Sequence, residues 1–110
     1  MSYNVIPTPD FKKIFRKLLK KYPSLKTDSL QLTVALAESP DKGTNLAHNL
    51  YKIRMAITSK GKGKSGGARV ITFLVTEEKE VYLLHIYDKG QLENLTKDQI
   101  LGRLKKAGLP

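Results

Sequence analysis

Apolar residues recur with a helical period near the start of the chain. Phe11, Ile14, Phe15, Leu18, Leu19 and Tyr22 follow at offsets of 3, 4, 7, 8 and 11 from Phe11. They therefore line one side of a helix, and the lysines between them occupy the other. Thr8-Pro9-Asp10 supplies a cap, a proline for the first position and an acid for the first turn. Ahead of it, Tyr3-Asn4-Val5-Ile6 reads as a short strand ended by Pro7. Pro23 closes the helix. Leu25, Leu30, Leu32, Val34 and Leu36 support a second one to about Ala37, which Ser39-Pro40-Asp41-Lys42-Gly43 breaks. Two helices so joined predict a hairpin.

From Leu50 the period becomes two. Ile53, Met55 and Ile57 alternate with Lys52 and Arg54, which places the apolar side in a core and both cations on the other face. Residues 58–68 carry four glycines and no apolar anchor, which reads as a mobile basic loop. Arg69 then opens Val70-Ile71-Thr72-Phe73-Leu74-Val75. After an acidic turn comes Val81-Tyr82-Leu83-Leu84-His85-Ile86-Tyr87. Both runs are apolar on both faces, so they are central strands. Thr96 with Gln99 three residues on forms a capping box for a last helix, whose apolar side is Ile100, Leu101 and Leu104 before Gly108. The predicted order is β-α-α-β-β-β-α. This is an α+β fold, a small curved antiparallel sheet with the hairpin packed on one face and a short C-terminal helix. Lys52, Arg54 and Arg69 can then converge on the free concave surface, since the loop pairs their two strands.

At 110 residues the chain is one domain, 1–110. It has no Cys, which excludes a disulfide scaffold, a thiol nucleophile and a thiolate metal site. Neither a membrane span nor a secretory signal is indicated, so a cytoplasmic location is expected. Two histidines with no carboxylate cluster near them leave little material for a metal, and neither a metal nor a cofactor is expected. The net charge is +10, and its distribution matters more than its sum. Seven cations and no acid lie between Asp10 and Asp28, and seven more with no acid between Asp41 and Glu77. Potentials of that sign attract a polyanion, either nucleic acid or an acidic protein.

The glycine-lysine segment fails as a Walker loop, because Thr58 stands where a glycine is needed and a strand, not a helix, follows Ser65. Its expected role is nonspecific phosphate contact through Lys60, Lys62, Lys64 and Ser65. Lys52, Arg54 and Arg69 would repel one another on one sheet surface unless an anion joins them. Tyr87 and Lys89 sit where the last strand leaves the sheet, with Tyr87 either closing the core edge or stacking on a base. His85, sharing a face with Leu83 and Tyr87 by twofold alternation, reads as a hydrogen-bonded core residue, and His48 has no evident partner.

Three segments carry a family resemblance. Asn49-Leu50-Tyr51-Lys52-Ile53-Arg54, Gly63-Lys64-Ser65-Gly66-Gly67-Ala68-Arg69-Val70-Ile71 and Val81-Tyr82-Leu83-Leu84-His85-Ile86-Tyr87-Asp88-Lys89 resemble the RelE/ParE superfamily of type II toxins. They are most similar to its RelE-like and HigB-like branch, and the similarity spans nearly the whole chain. The resemblance implies a metal-independent endoribonuclease that cuts mRNA, commonly on the ribosome, and is silenced by an acidic antitoxin protein. It matches Lys52 and Arg54 to the family's basic pair and Arg69 to its strand-opening arginine, with Lys89 near a further basic position. Metal-free cleavage by the 2′-hydroxyl then assigns Lys52 as base, Arg54 and Arg69 as stabilisers of the phosphorane, and Lys89 or the substitute candidate Tyr87 as acid or base-stacking group. The chain has no tyrosine after Tyr87, where RelE carries a functional one. A non-catalytic alternative therefore stands beside this reading, a ParE-type poison of DNA gyrase or an RNA- or ribosome-binding inhibitor.

Overall fold

A computed structural model describes residues 2–61, 63, 66–90 and 95–109. Its elements are β1 (Asn4–Pro7), α1 (Pro9–Lys21), α2 (Leu25–Glu38), β2 (Thr44–Ala47), β3 (Leu50–Met55), β4 (Ala68–Val75), β5 (Glu80–Asp88) and α3 (Lys97–Lys106). The strands form one sheet in the order β1-β5-β4-β3-β2.

Thr8 caps α1 as its sequence implies. With extended backbone, its hydroxyl oxygen accepts from the Phe11 N–H, and the hydroxyl donates to the Leu83 carbonyl at 2.9 Å. One side chain thus starts the helix and ties it to β5. The hairpin covers one face of the sheet. Phe11 and Leu18 of α1 and Leu25, Leu32 and Leu36 of α2 pack on Ile53, Met55, Val70, Leu74, Val81 and Ile86. Leu30 and Val34 lie outside this core, 60% and 64% exposed. On the opposite face Ile100 and Leu104 of α3 cover Leu50, Ile71, Phe73 and Leu84. The capping box of Thr96 and Gln99 opens α3, which therefore takes up part of the surface that the sequence leaves free.

Two features of the sheet differ from expectation within the same α+β fold. The sheet is mixed, because β1 runs parallel to β5 with Val5 opposite Val81, and the other pairs are antiparallel. The chain leaves β1 directly into α1 and over the sheet, so it has no hairpin through which to pair antiparallel. The second feature is the extra edge strand β2. Thr44-Asn45-Leu46-Ala47 has no apolar alternation and is largely exposed, so only its ladder to β3 makes it a strand. Asn45 Nδ2 donates to the His48 carbonyl at 2.7 Å across the turn, with His48 at φ 46°.

A bulge in β5 resets its alternation. Ile71 pairs with His85 but Thr72 pairs with Leu83, so Leu84 is the extra residue. Leu83 therefore belongs to the hairpin-side core and Leu84 to the α3 side. His85 does not share a face with Leu83, as strict alternation would have it. It pairs across from Ile71, and its ring lies 6.0 Å from that of Tyr87.

Candidate functional site

The strand registers place the predicted cations in two neighbouring rows. Arg54 stands opposite Arg69, and Arg69 opposite Tyr87, which makes one row across β3, β4 and β5. One step along, Lys52 stands opposite Ile71, and Ile71 opposite His85. Side chains two apart on a strand share a face, so Lys52 and Arg54 lie with Leu50, and Arg69 with Ile71, on the α3 side of the sheet.

Their exposures differ sharply. Arg54 is exposed and Lys52 half-buried. Arg69, which its place at the start of a strand suggests is exposed, is only 5% exposed. It lies inside the ladder between two neighbouring strands, and its Nη1 donates to the Ala68 carbonyl at 3.2 Å. Tyr87 is also 5% exposed, and its buried hydroxyl has no hydrogen-bond partner among the described residues. Burial pushes its phenol above the ordinary value, with Arg69 pulling the other way, so Tyr87 is protonated at neutral pH. Burial, and secondarily the Arg103 guanidinium, lowers His85 to about 4 against the pull of Asp10. His85 is therefore a neutral imidazole, and its Nδ1 has no hydrogen-bond partner among the described residues.

Lys89 lies just beyond the strand. Its backbone N–H donates to the Gly67 carbonyl at 3.0 Å, which holds it beside the start of β4. Gly67 is obligatory there, because a Cβ would collide with the Met55 carbonyl. Lys60 has a different setting from the solvent-facing lysine that the loop suggests. Its Nζ pairs with Asp88 at 2.8 Å, with the two side chains 13% and 2% exposed. Asp88 also accepts from the Tyr22 hydroxyl at 2.7 Å and the Gly90 N–H at 3.0 Å. Lys62, Lys64 and Ser65 lie outside the described residues.

The root of the basic loop is fixed, although glycine content alone reads as mobility. Thr58–Lys60 form one turn of 3-10 helix. Asp28 accepts the Thr58 N–H at 3.0 Å and its hydroxyl at 2.6 Å, and the Ser24 hydroxyl at 2.9 Å. Ser24 and Ser59 exchange hydrogen bonds at 2.8 and 3.0 Å. Asp28 and Asp88 are thus the anchors that sequence reasoning missed. One signal was available, since Asp28 is the first acid after an acid-free basic block and Asp88 is the first acid after Glu80 in β5.

Among the described residues no three His, Cys, Asp or Glu side chains gather in a way that could hold a metal. No described helix is long and apolar enough to cross a membrane. An apolar groove of about 380 Å³ lies on the hairpin side between Val5, Phe11, Phe15 and Thr33 and shares no residue with the cation rows.

Residues 10–108 match the family described as "RelE toxin of RelE / RelB toxin-antitoxin system". The chain belongs to the RelE toxin family. Two solved structures share the fold. A double mutant of the E. coli toxin RelE in the free state superposes with a TM-score of 0.66 at 18% identity, covering 94% of this chain and 99% of that one. The isolated E. coli RelE toxin gives 0.60 at 17%, covering 98% and 100%. Membership makes this chain a toxin of a toxin-antitoxin system, whose counterpart is an antitoxin.

Proposed function

We propose that this RelE-family toxin is an endoribonuclease that cleaves mRNA without a metal, on the ribosome in the cytoplasm, and so stops translation. The observation that carries the reading is the row Arg54-Arg69-Tyr87 with Lys52 in the next row. Two arginines directly across a strand pair repel, and a phosphodiester bridging them turns that repulsion into attraction. In the reaction the 2′-hydroxyl attacks the adjacent phosphorus, its proton passing to Lys52. The phosphorane's extra negative charge is held by Arg54 and Arg69, whose guanidinium planes match phosphate oxygens. The 5′-oxygen leaves with a proton from Lys89 or Tyr87, and a 2′,3′-cyclic phosphate remains. A protonated Tyr87 suits donation. The ribosome holds the message in line for attack, supplying positioning that so small a protein surface lacks.

The antitoxin that silences this site would be an acidic chain, because the sheet surface to be covered is cationic. The deciding experiment maps mRNA ends after induced expression of the wild type and of Arg54→Ala. Discrete new ends inside translated codons, absent with the variant, support cleavage. Intact messages refute it, and if replication stalls as well, poisoning of DNA gyrase replaces it.

A further inference from the structure

A second, smaller cavity adjoins the cation rows. It holds about 160 Å³ between the sheet and the first turn of α3, and its walls include Ala47, Leu50, Ile71 and Ile100. Lys52 and Tyr87 line it too, so the cavity and the phosphate-handling cations share a residue. The Tyr87 hydroxyl is buried and without a hydrogen-bond partner among the described residues. Such an arrangement costs stability unless a partner arrives from outside the chain. The cavity bordering Tyr87 is where one can enter.

Size and lining select the occupant. Pockets for drug-sized ligands hold about 300–1,000 Å³, so this one admits a single planar ring system and not a whole nucleotide. Aliphatic walls suit the faces of an aromatic ring, and a tyrosine hydroxyl suits its polar edge. The half-buried Lys52 suits an anion attached to that ring.

Taking RNA as the ligand from the reading above, we propose that this cavity receives one nucleobase of the bound strand. Its sugar and phosphate stay outside against Lys52, Arg54 and Arg69, and Tyr87 donates a hydrogen bond to a ring nitrogen or carbonyl of the base. The cavity is then the part of the site that reads sequence, and the cation rows are the part that does not. RNA-binding proteins commonly read single-stranded bases in this way, with apolar contact on the face and hydrogen bonds on the edge. Proton donation to the leaving oxygen falls in this arrangement to Lys89.

The test uses binding, not cleavage. The probe is a short single-stranded RNA, 2′-O-methylated throughout to block attack, with an abasic residue placed at each position in turn. The wild type should bind one abasic probe about tenfold more weakly than the intact strand, the rest being nearly unaffected. Ala47→Phe, which fills the cavity from edge strand β2, should weaken the intact probe by a similar factor and leave that one abasic probe unchanged. Tyr87→Phe keeps the ring and removes the hydroxyl, so it should alter the ranking of the four bases at that position only. Circular dichroism verifies that both variants are folded, and should Ala47→Phe fail to fold, Tyr87→Phe decides alone. A flat abasic scan by a wild type that binds RNA overturns the cavity while leaving the nuclease reading intact. Equal weakening of intact and abasic probes by Ala47→Phe, or an unchanged base ranking with Tyr87→Phe, overturns it as well. No RNA binding by the wild type at all overturns both.

Discussion

Replacing Asp88 by Asn removes the charge that holds three segments together at the end of β5. The carboxylate accepts from Lys60 at 2.8 Å, Tyr22 at 2.7 Å and the Gly90 N–H at 3.0 Å, with its side chain 2% exposed. Removing one partner of a fully buried ion pair costs about 3–5 kcal/mol. Lys60 is 13% exposed and can turn its ammonium toward water, and the Asn oxygen can still accept from Tyr22, so the expected loss is smaller, about 2–3 kcal/mol. That is a large share of the roughly 5–15 kcal/mol that holds a domain folded. Urea unfolding followed by circular dichroism at pH 7 measures it, and Lys60→Met with the double variant isolates the pairwise energy.

The pH dependence supplies a second check. Burial pushes the Asp88 carboxyl up, but the hydrogen bonds from Lys60, Tyr22 and Gly90 and the Lys60 charge outweigh it, and the net shift is below the ordinary value of 3.8. A carboxyl lowered by folding contributes stability at pH values above its unfolded pKa and loses it as pH falls through the folded one. The gap between wild type and Asp88→Asn should therefore be constant from pH 7 to 5 and narrow below about 4. A gap under about 0.5 kcal/mol, the range of ordinary surface changes, or one that persists unchanged in acid, would refute the reasoning.

Three further outcomes follow from the site. Arg54→Ala should leave stability within about 0.5 kcal/mol, since the side chain is exposed, and lower the cleavage rate by about 10²–10³, as loss of a transition-state donor does; primer extension and urea titration read the two effects, and a folded variant that cleaves at the wild-type rate removes Arg54 from the site. With about four cations on phosphates, log affinity for single-stranded RNA should fall with log salt at a slope near −3, and a slope shallower than about −1 in titrations at several salt concentrations would contradict the electrostatic account. His85, lowered from 6.5 to about 4 by folding, contributes stability that is present above pH 6.5 and lost toward pH 4, at most about 3 kcal/mol. His85→Leu should flatten the stability curve between those limits, and an unchanged curve would mean that the imidazole is solvated.

The parts of the fold legible in the sequence are those where one residue type answers one local demand. Thr8-Pro9, the stripe from Phe11 to Tyr22 and the Thr96–Gln99 box define their helices without help from elsewhere. Twofold alternation likewise puts Lys52 and Arg54 on the face turned away from the hairpin. What it cannot carry is anything decided between strands. The parallel pairing of β1, the existence of β2 and the bulge at Leu84 all arise from partners distant in sequence. The same limit applies to exposure. A strand-opening arginine looks solvated until the neighbouring strands extend past it, which leaves Arg69 only 5% exposed. Lys60 reads as a loop lysine because Asp88 is its partner only in three dimensions.

The anchoring carboxylates also help to keep so cationic a face in register. Arg54 and Arg69 face each other across β3 and β4, a like-charge pair that weakens that part of the ladder. Two of the described acids, Asp88 and Asp28, lie on the reverse side of the sheet. In Tyr87-Asp88-Lys89 strand alternation turns Asp88 away from Tyr87, toward Tyr22 of the hairpin and Lys60 of the loop. Asp28, from α2, reaches the same loop through Thr58. The segment joining the two arginine-bearing strands is therefore pinned from behind, and its anchors help to fix the spacing of Arg54 and Arg69. The proposed phosphate binding and the loop anchoring become separable by mutation. Asp88→Asn acts first on stability and only through it on the site, whereas Arg54→Ala acts on the site alone.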